Sequence, residues 1–481
     1  MLTPAATVAA SPDAAAERSA VALHERIDAL IDRRTGGSPA PTTDDFEFAR
    51  RVYLDFAGRI PTTAELRAFV SDTAPDKRLR LIDALLNGPE YPRRMAEAFH
   101  VMLMERRGHH PEWIAFLRHA FATNMSWSQM LRHMAAADPD DPKTRGAAFF
   151  ITKRLEKYGQ NPTDYPGLAT DIGRLFLGRN VGCAQCHDHM FVDEYKQRDF
   201  QGLFAFVQHT FIRTDVKFPA VGEKPVKAPL TYQSVFEGEP HQTGPRLPGR
   251  REITIPVFKP GEEYLKPPDR KTRFPGVPKF SPLNELAREL TAPDNADVAR
   301  NAVNRLWWLL MGRGLVEPLD LFHKDNPPSH PELLDLLATE FVAHGYDIKW
   351  LLRELAQTRV YQRSSRLPEG VADPDAVPPT SYRVAIERPL SAEQLTWSML
   401  IATGAVQRLL AEEERTAAAT AAEANRGAAT TASAAAAASK ASAEPDVGDD
   451  APGTSTPPSD TPGTLAERLG SLDLQTDPRL K

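Results

Sequence analysis

The sequence predicts a mainly α-helical protein. It reads as packed short helices with a small β-rich insertion, plus a disordered Ala/Pro-rich C-terminal segment. Three observations predict this. Apolar residues recur every three or four positions through residues 21–211 and again through 281–410. Many of the 42 prolines gather between about 216 and 282, where short β-favouring runs alternate with Pro and Gly. After residue 410 the chain turns to Ala-rich and then Pro/Ser/Thr/Asp-rich sequence.

Residues 1–20 are Ala-rich and expected to be mobile. Val21 to Arg34 carries Leu23, Ile27 and Leu30 on one stripe. Asp44 is a natural N-cap for a helix through Phe48, Val52 and Phe56, ended by Gly58 and Pro61. Thr62-x-x-Glu65 is a capping box opening a short helix. Helices follow through Leu79, Ile82, Leu85 and Leu86, over Tyr91 to Arg106, and from the Ser126-x-x-Gln129 signal. Pro166 to Gly178 and Asp199 to Phe211 read as helices flanking the two cysteines. Thr231–Phe236 and Glu252–Phe258 read as strands.

Helices return at Ser281. Val298 to Met311 is strongly apolar and stopped by Gly312-Arg313-Gly314. Ser329-His330-Pro331-Glu332 has capping-box spacing before Leu333, Leu334, Leu337 and Phe341. Gly345 ends that helix and Asp347 caps the next. Ser391 to Leu410 is a last amphipathic helix. The expected organisation is a mobile N-terminus and lead-in helix over 1–43 and a helical domain over 44–211. A β-rich insertion follows over 212–280, then a second, truncated helical domain over 281–410 and a low-complexity tail over 411–481.

Hydrophobic residues are 41% and charged residues 25%, so ordinary cores are within reach. Net charge is −6 without a long basic block, which argues against nucleic acid as a partner. No apolar run approaches the roughly 20 residues of a membrane span.

Both cysteines lie in Val181-Gly182-Cys183-Ala184-Gln185-Cys186-His187-Asp188-His189, spaced C-x-x-C-H. This is the attachment pattern of a c-type haem, with two thiols for two vinyl groups and the next imidazole for the iron. Three other readings compete. A redox disulfide lacks the flanking strand and helix of a thioredoxin-like unit. Zinc on Cys183, Cys186, His187 and His189 would crowd four ligands into seven residues. Inert core cysteines are the third. Spacing ranks haem first, zinc second, inert core last.

In the haem reading Cys183 and Cys186 carry the thioethers and His187 is the metal ligand. His189 and Met190 are tethered on the near face and are not expected as the sixth ligand. His100, His109, His110, His119, His133, His209, His323 and His330 are the other candidates, most of them expected at the surface or in caps. Asp188 and His189 either orient His187 or cap the turn after it. Arg179, Arg305 and Arg313 are candidates for haem propionates, with ordinary salt bridges as the plainer use. Asp55 and Arg59 are expected as an i,i+4 helix pair, and Asp193 and Glu194 as a solvated turn. No Gly-rich phosphate loop, H-E-x-x-H or G-x-S-x-G is present. A carboxylate hydrolase therefore has no motif behind it.

Attachment of haem at this pattern takes place outside the cytoplasm, so a periplasmic or otherwise exported protein is expected. Met1 to Ala16 has neither a basic n-region nor an apolar core. An upstream start, a processed or partial chain, and an unattached haem stay open as explanations.

Several blocks occur in order. They are Arg51-Val-Tyr-Leu-Asp-Phe-Ala-Gly-Arg-Ile-Pro-Thr62, Cys183-Ala-Gln-Cys-His-Asp-His189, Asp193-Glu-Tyr-Lys-Gln197, Leu203-Phe-Ala-Phe206 and Pro256-Val-Phe-Lys-Pro-Gly-Glu-Glu-Tyr264. Asn301-Ala-Val-Asn-Arg-Leu-Trp307, Gly312-Arg-Gly-Leu-Val-Glu-Pro318, Asn326-Pro-Pro-Ser-His-Pro-Glu-Leu-Leu334 and Tyr361-Gln-Arg-Ser-Ser365 continue the series. Together, over roughly residues 45–405, they resemble a planctomycete-type family built from two consecutive domains of unknown function, numbered fifteen-forty-nine and fifteen-fifty-three. The resemblance implies an exported protein of c-type haem character, often beside a cytochrome c domain that would be its redox partner. The sequence departs from the family at Met190, where proline is usual, and its second domain is expected to stop early after an unusual Ala-rich insert.

These readings point to an exported c-type haem protein with one covalent haem, acting in electron transfer or in oxidation of a substrate, polymers included. The alternative is a binding or scaffold protein whose Cys/His cluster holds structural zinc or no metal.

Overall fold

A computed structural model describes residues 21–412 except 237, scattered positions within 414–426, and residues 464–474. The readings of residues 1–20 and of most of the 411–481 tail fall outside these residues. The described part is mainly α-helical, with three two-stranded antiparallel sheets. No helix among the described residues is long and apolar enough to cross a membrane.

Local signals set most helix starts. Asp44 accepts the Glu47 N–H at 2.9 Å ahead of the Asp45–Phe56 helix. Thr62/Glu65 and Ser126/Gln129 each form the complete reciprocal capping box. Asp347 accepts the Trp350 N–H at 2.9 Å. The capping box expected at Ser329/Glu332 is not formed. The helix Pro331–Ala343 starts one residue later than that spacing requires, so His330 occupies the N-cap position and makes no side-chain cap bond. The Pro111–Ala122 helix was not legible in the sequence, because its cap is the uncommon His110, which accepts the Glu112 N–H at 3.2 Å.

The Asp55–Arg59 pair is also corrected. The Asp45–Phe56 helix ends before Gly58, which sits at φ 72°, so Arg59 leaves the helix face that carries Asp55. Arg59, 1% exposed, instead lies between Glu65 and Glu90 with four charge-assisted bonds of 2.7–2.9 Å.

The insertion region holds the hairpins Thr210–Ile212 with Val221–Glu223, Leu230–Gln233 with Pro240–Thr243, and Tyr264–Lys266 with Val277–Pro278. Glu252–Phe258 is not a strand. Pro256 has no N–H to give a ladder, and Val257 is 93% exposed. The predicted Asp199–Phe211 helix runs instead over Gln197–Val207, and Thr210 opens the first strand.

One hydrophobic cluster runs from Leu23 to Tyr382 and draws on both halves of the chain. The Leu23–Arg34 helix packs on Pro331–Ala343 and Ile348–Gln357. Asp28 accepts the N–H groups of Arg359 and Val360 at 2.9 and 3.3 Å, and Arg26 reaches Glu340 at 2.6 Å. A smaller cluster joins Trp397, Ile401, Val406 and Leu410 to Leu469 and Leu472, so the 464–474 segment docks on the last helices.

Candidate functional site

The cysteine turn is positioned by elements on three sides. Asp164 caps the Tyr165–Phe176 helix through the Gly167 N–H at 2.8 Å, and Gly178 at φ 71° turns the chain out of it. The next residues pair with a distant loop. Phe322 donates to the Gly178 carbonyl at 3.0 Å, and Asn180 donates to the Asp320 carbonyl at 2.9 Å. Val181 and Ala184 are buried, which anchors a 3-10 turn over Gly182–Gln185 and leaves Cys183 and Cys186 on the outside. Neither cysteine is in a disulfide.

The turn is held from behind by its carbonyls. Gln185 O accepts from Gln197 Nε2 and Gln201 Nε2 at 3.3 and 2.8 Å. Cys186 O accepts the Val235 N–H at 3.0 Å, which ties the turn to the end of the Leu230–Gln233 strand. Both thiols therefore project from a backbone with few degrees of freedom left.

His187 Nδ1 lies 2.6 Å from the Asp188 carbonyl oxygen. A carbonyl only accepts, so Nδ1 donates and Nε2 carries the lone pair. The His187 ring also packs 4.8 Å from the Phe236 ring. Around it lie side chains of unusual exposure for their type: Met190 at 72%, Phe191 at 85%, Val235 at 66% and Phe236 at 73%.

The neighbouring residues stabilise the turn. Asp188 Oδ1 accepts the Gln197 N–H at 2.9 Å, and Asp188 meets Lys196 at 3.1 Å. His189 Nδ1 accepts the N–H groups of Phe191 and Val192 at 3.1 and 2.9 Å. Tyr195 stands edge-on to His189 and His323, and its hydroxyl donates to the Phe322 carbonyl at 3.1 Å. Asp193 and Glu194 face Lys324 on an open turn. Among the described residues, no three or more His, Cys, Asp or Glu side chains gather as a metal-binding group.

The other candidates lie elsewhere. Arg179 pairs with Asp297 at 3.0 Å. Arg313 Nε is buried without a partner. His100 is buried and accepts from Trp113 Nε1 at 3.0 Å, and His330 Nδ1 lies 3.2 Å from the Ser329 hydroxyl. Arg305 is 7% exposed and lines a separate cleft of about 860 Å³. That cleft lies between the helices Asp45–Phe56, Tyr91–Met104 and Ala296–Met311 and the segment 386–394. Sequence reasoning missed it because its walls come from four remote stretches, and Arg305 and Asp55 stood out there for other roles.

The two thiols and the Nε2 of His187 fit a covalently attached haem in donor type and in tautomer. His189, engaged by two backbone N–H groups, is not free to complete a four-ligand zinc site with them.

Residues 26–211 match the family described as PSCyt2, Protein of unknown function (DUF1549). Residues 284–446 match PSD1, Protein of unknown function (DUF1553). No curated protein and no solved structure matches the chain.

Proposed function

The chain carries the DUF1549 and DUF1553 domains in succession, and from that premise we propose that it is an exported c-type haem protein acting in electron transfer or substrate oxidation. Cys183 and Cys186 would hold the haem through its two vinyl groups, and His187 would offer Nε2 to its iron. When bound, haem supplies reversible one-electron chemistry. The observation that carries the reading is the 2.6 Å contact of His187 Nδ1 with the Asp188 carbonyl. It holds the imidazole in the tautomer that presents Nε2, and raises its basicity as a ligand. Exposed Phe236 and Phe191 supply the apolar contact that a haem edge needs. Its redox partner is then a cytochrome c domain or a protein bearing one.

The test is expression in a bacterial periplasm together with haem-maturation machinery. The expected result is a mass increased by one haem and a c-type α-band on reduction. Colourless protein with both thiols free to titrate overturns the reading, and colourless protein that holds zinc with its thiols masked favours the scaffold alternative instead.

A further inference from the structure

The cleft of about 860 Å³ has no part in the haem reading, and one guanidinium fork on its wall is left without a bonded partner. Arg94 is 5% exposed, and its Nε donates to the Asp55 carbonyl at 3.2 Å. Its two terminal nitrogens have no hydrogen-bond or carboxylate partner among the described residues. Arg305, likewise buried, uses Nε on Asn301 Oδ1 at 3.1 Å and Nη2 on the Arg174 carbonyl at 2.8 Å, again with no carboxylate. Burial pulls both guanidinium groups below their usual range, Arg305 to about 10.

The carboxylates that line the cleft are largely committed. Asp55 is held by Arg388 and Tyr361, Glu47 by Arg51, Glu105 by Arg174, and Glu393 by Arg106. Glu97 gives one oxygen to Arg93 and Trp397, while its Oε2 is buried without a partner. Glu387 is exposed, as is Arg50 opposite in sign. The terminal nitrogens of Arg94 keep access to the cleft, and the Asp55 and Glu97 carboxylates act on them without a direct bond, so their N–H groups are open to an acceptor placed there.

The volume is that of a site for an organic molecule, well beyond the needs of a bare inorganic oxyanion. Trp308, 37% exposed, and Leu309, Leu319, Met102 and Ile386 give its walls apolar faces. We propose that this cleft binds an organic oxyanion, a carboxylate or sulfate-type group on a body with an apolar face, and that the free fork of Arg94 takes the anionic group. Arg94 is chosen over Arg305 because both of its terminal nitrogens are available for a bidentate pair.

The test is calorimetric titration of the full chain with four probes of one shape: 2-naphthoate, 2-naphthalenesulfonate, 2-naphthalenemethanol and 2-naphthylmethylammonium. Both or one of the two anions binds, the alcohol binds about tenfold more weakly or worse, and the cation does not bind. The stronger of the two anions identifies the oxyanion. Arg94→Gln removes the preference for anion over alcohol, whereas Trp308→Ala weakens anion and alcohol alike. Equal binding of alcohol and anions, no binding of either anion, or an anion preference that survives in folded Arg94→Gln overturns the proposal. Should Arg94→Gln not fold, the comparison of anion with alcohol on the unaltered protein still decides it. Haem loading does not enter the readout.

Discussion

Nη2 of Arg388 lies 2.9 Å from both carboxylate oxygens of Asp55, across 333 residues of sequence. Tyr361 donates its hydroxyl to the same carboxylate at 2.8 Å. The side chain of Asp55 is 1% exposed and that of Arg388 is 27% exposed. This knot joins the helix Asp45–Phe56 to two points of the C-terminal half, beside the cleft. It shows that the two matched domains fold around a shared core.

Asp55→Asn leaves a guanidinium and a phenol facing a neutral amide. The expected loss is about 3 kcal/mol, the low end for a broken buried pair because Arg388 keeps some solvent. Urea unfolding measures it. A loss below about 1 kcal/mol would mark the pair as a solvent-screened surface contact.

Gly312 ends the Ala296–Met311 helix at φ 81°, and a Cβ there would sit 2.8 Å from Arg388 Cγ. Gly312→Ala combines a left-handed backbone penalty of about 1–2 kcal/mol with displacement of Arg388. A lowered melting temperature is expected. Combined with Asp55→Asn, its effect falls short of additive, since both act on one side chain.

Burial raises the Glu223 carboxyl to about 6, against its bonds from the Ser281 hydroxyl and the Leu283 N–H at the start of the Pro282–Leu290 helix. A folded pKa above the unfolded value means that the native state binds the proton more tightly. The stability it adds is complete below pH 4.5 and is lost as pH rises through about 6. The change is about 1–2 kcal/mol. Comparing the pH–stability curve of Glu223→Gln with that of the unaltered protein should isolate this fall. Identical curves would show that Glu223 titrates as an ordinary carboxyl.

His100 and His330 act in the opposite sense. Burial lowers each to about 4. Each is held neutral in the fold, so the stability it contributes is present above pH 6.5 and lost as pH falls towards 4. His100→Gln keeps an acceptor for Trp113 Nε1 and should flatten the acid limb between those values. Differential scanning calorimetry across that window reads the result, and an unchanged limb sinks the assignment.

Cys183 and Cys186 are exposed, and neither thiol is in a disulfide. The double variant Cys183→Ser/Cys186→Ser should therefore keep the stability of the haem-free chain within about 0.5 kcal/mol. Made with the maturation machinery, it should carry no covalent haem by denaturing mass spectrometry. Covalent haem in the variant would remove these sulfurs from the proposed attachment.

The parts legible in the sequence were those fixed over a few residues. Thr62 and Glu65, or Ser126 and Gln129, satisfy each other's backbone within one turn, so their spacing alone announces a helix start. Ser329 and Glu332 carry the same spacing without the bond, because His330 took the N-cap. Glu252–Phe258 has strand-like residues, but a strand exists only where a second one pairs with it. At the candidate site, spacing singled out Cys183, Cys186 and His187. It left open whether Asp188 and His189 orient His187 or cap the turn. The side chains of both cap it, and the Asp188 carbonyl orients the imidazole.

The sequence by itself determined the helical class, most helix starts, the C-x-x-C-H turn and the two successive domains, since each is written in neighbouring residues or in ordered blocks. Only the tertiary structure decided that Asp55 meets Arg388 and not Arg59, that Gln197 and Gln201 brace the cysteine turn, and that the terminal nitrogens of Arg94 reach a cleft without a bonded partner. Partner choice among charged groups depends on distance and desolvation in space, and these are set by how remote segments pack.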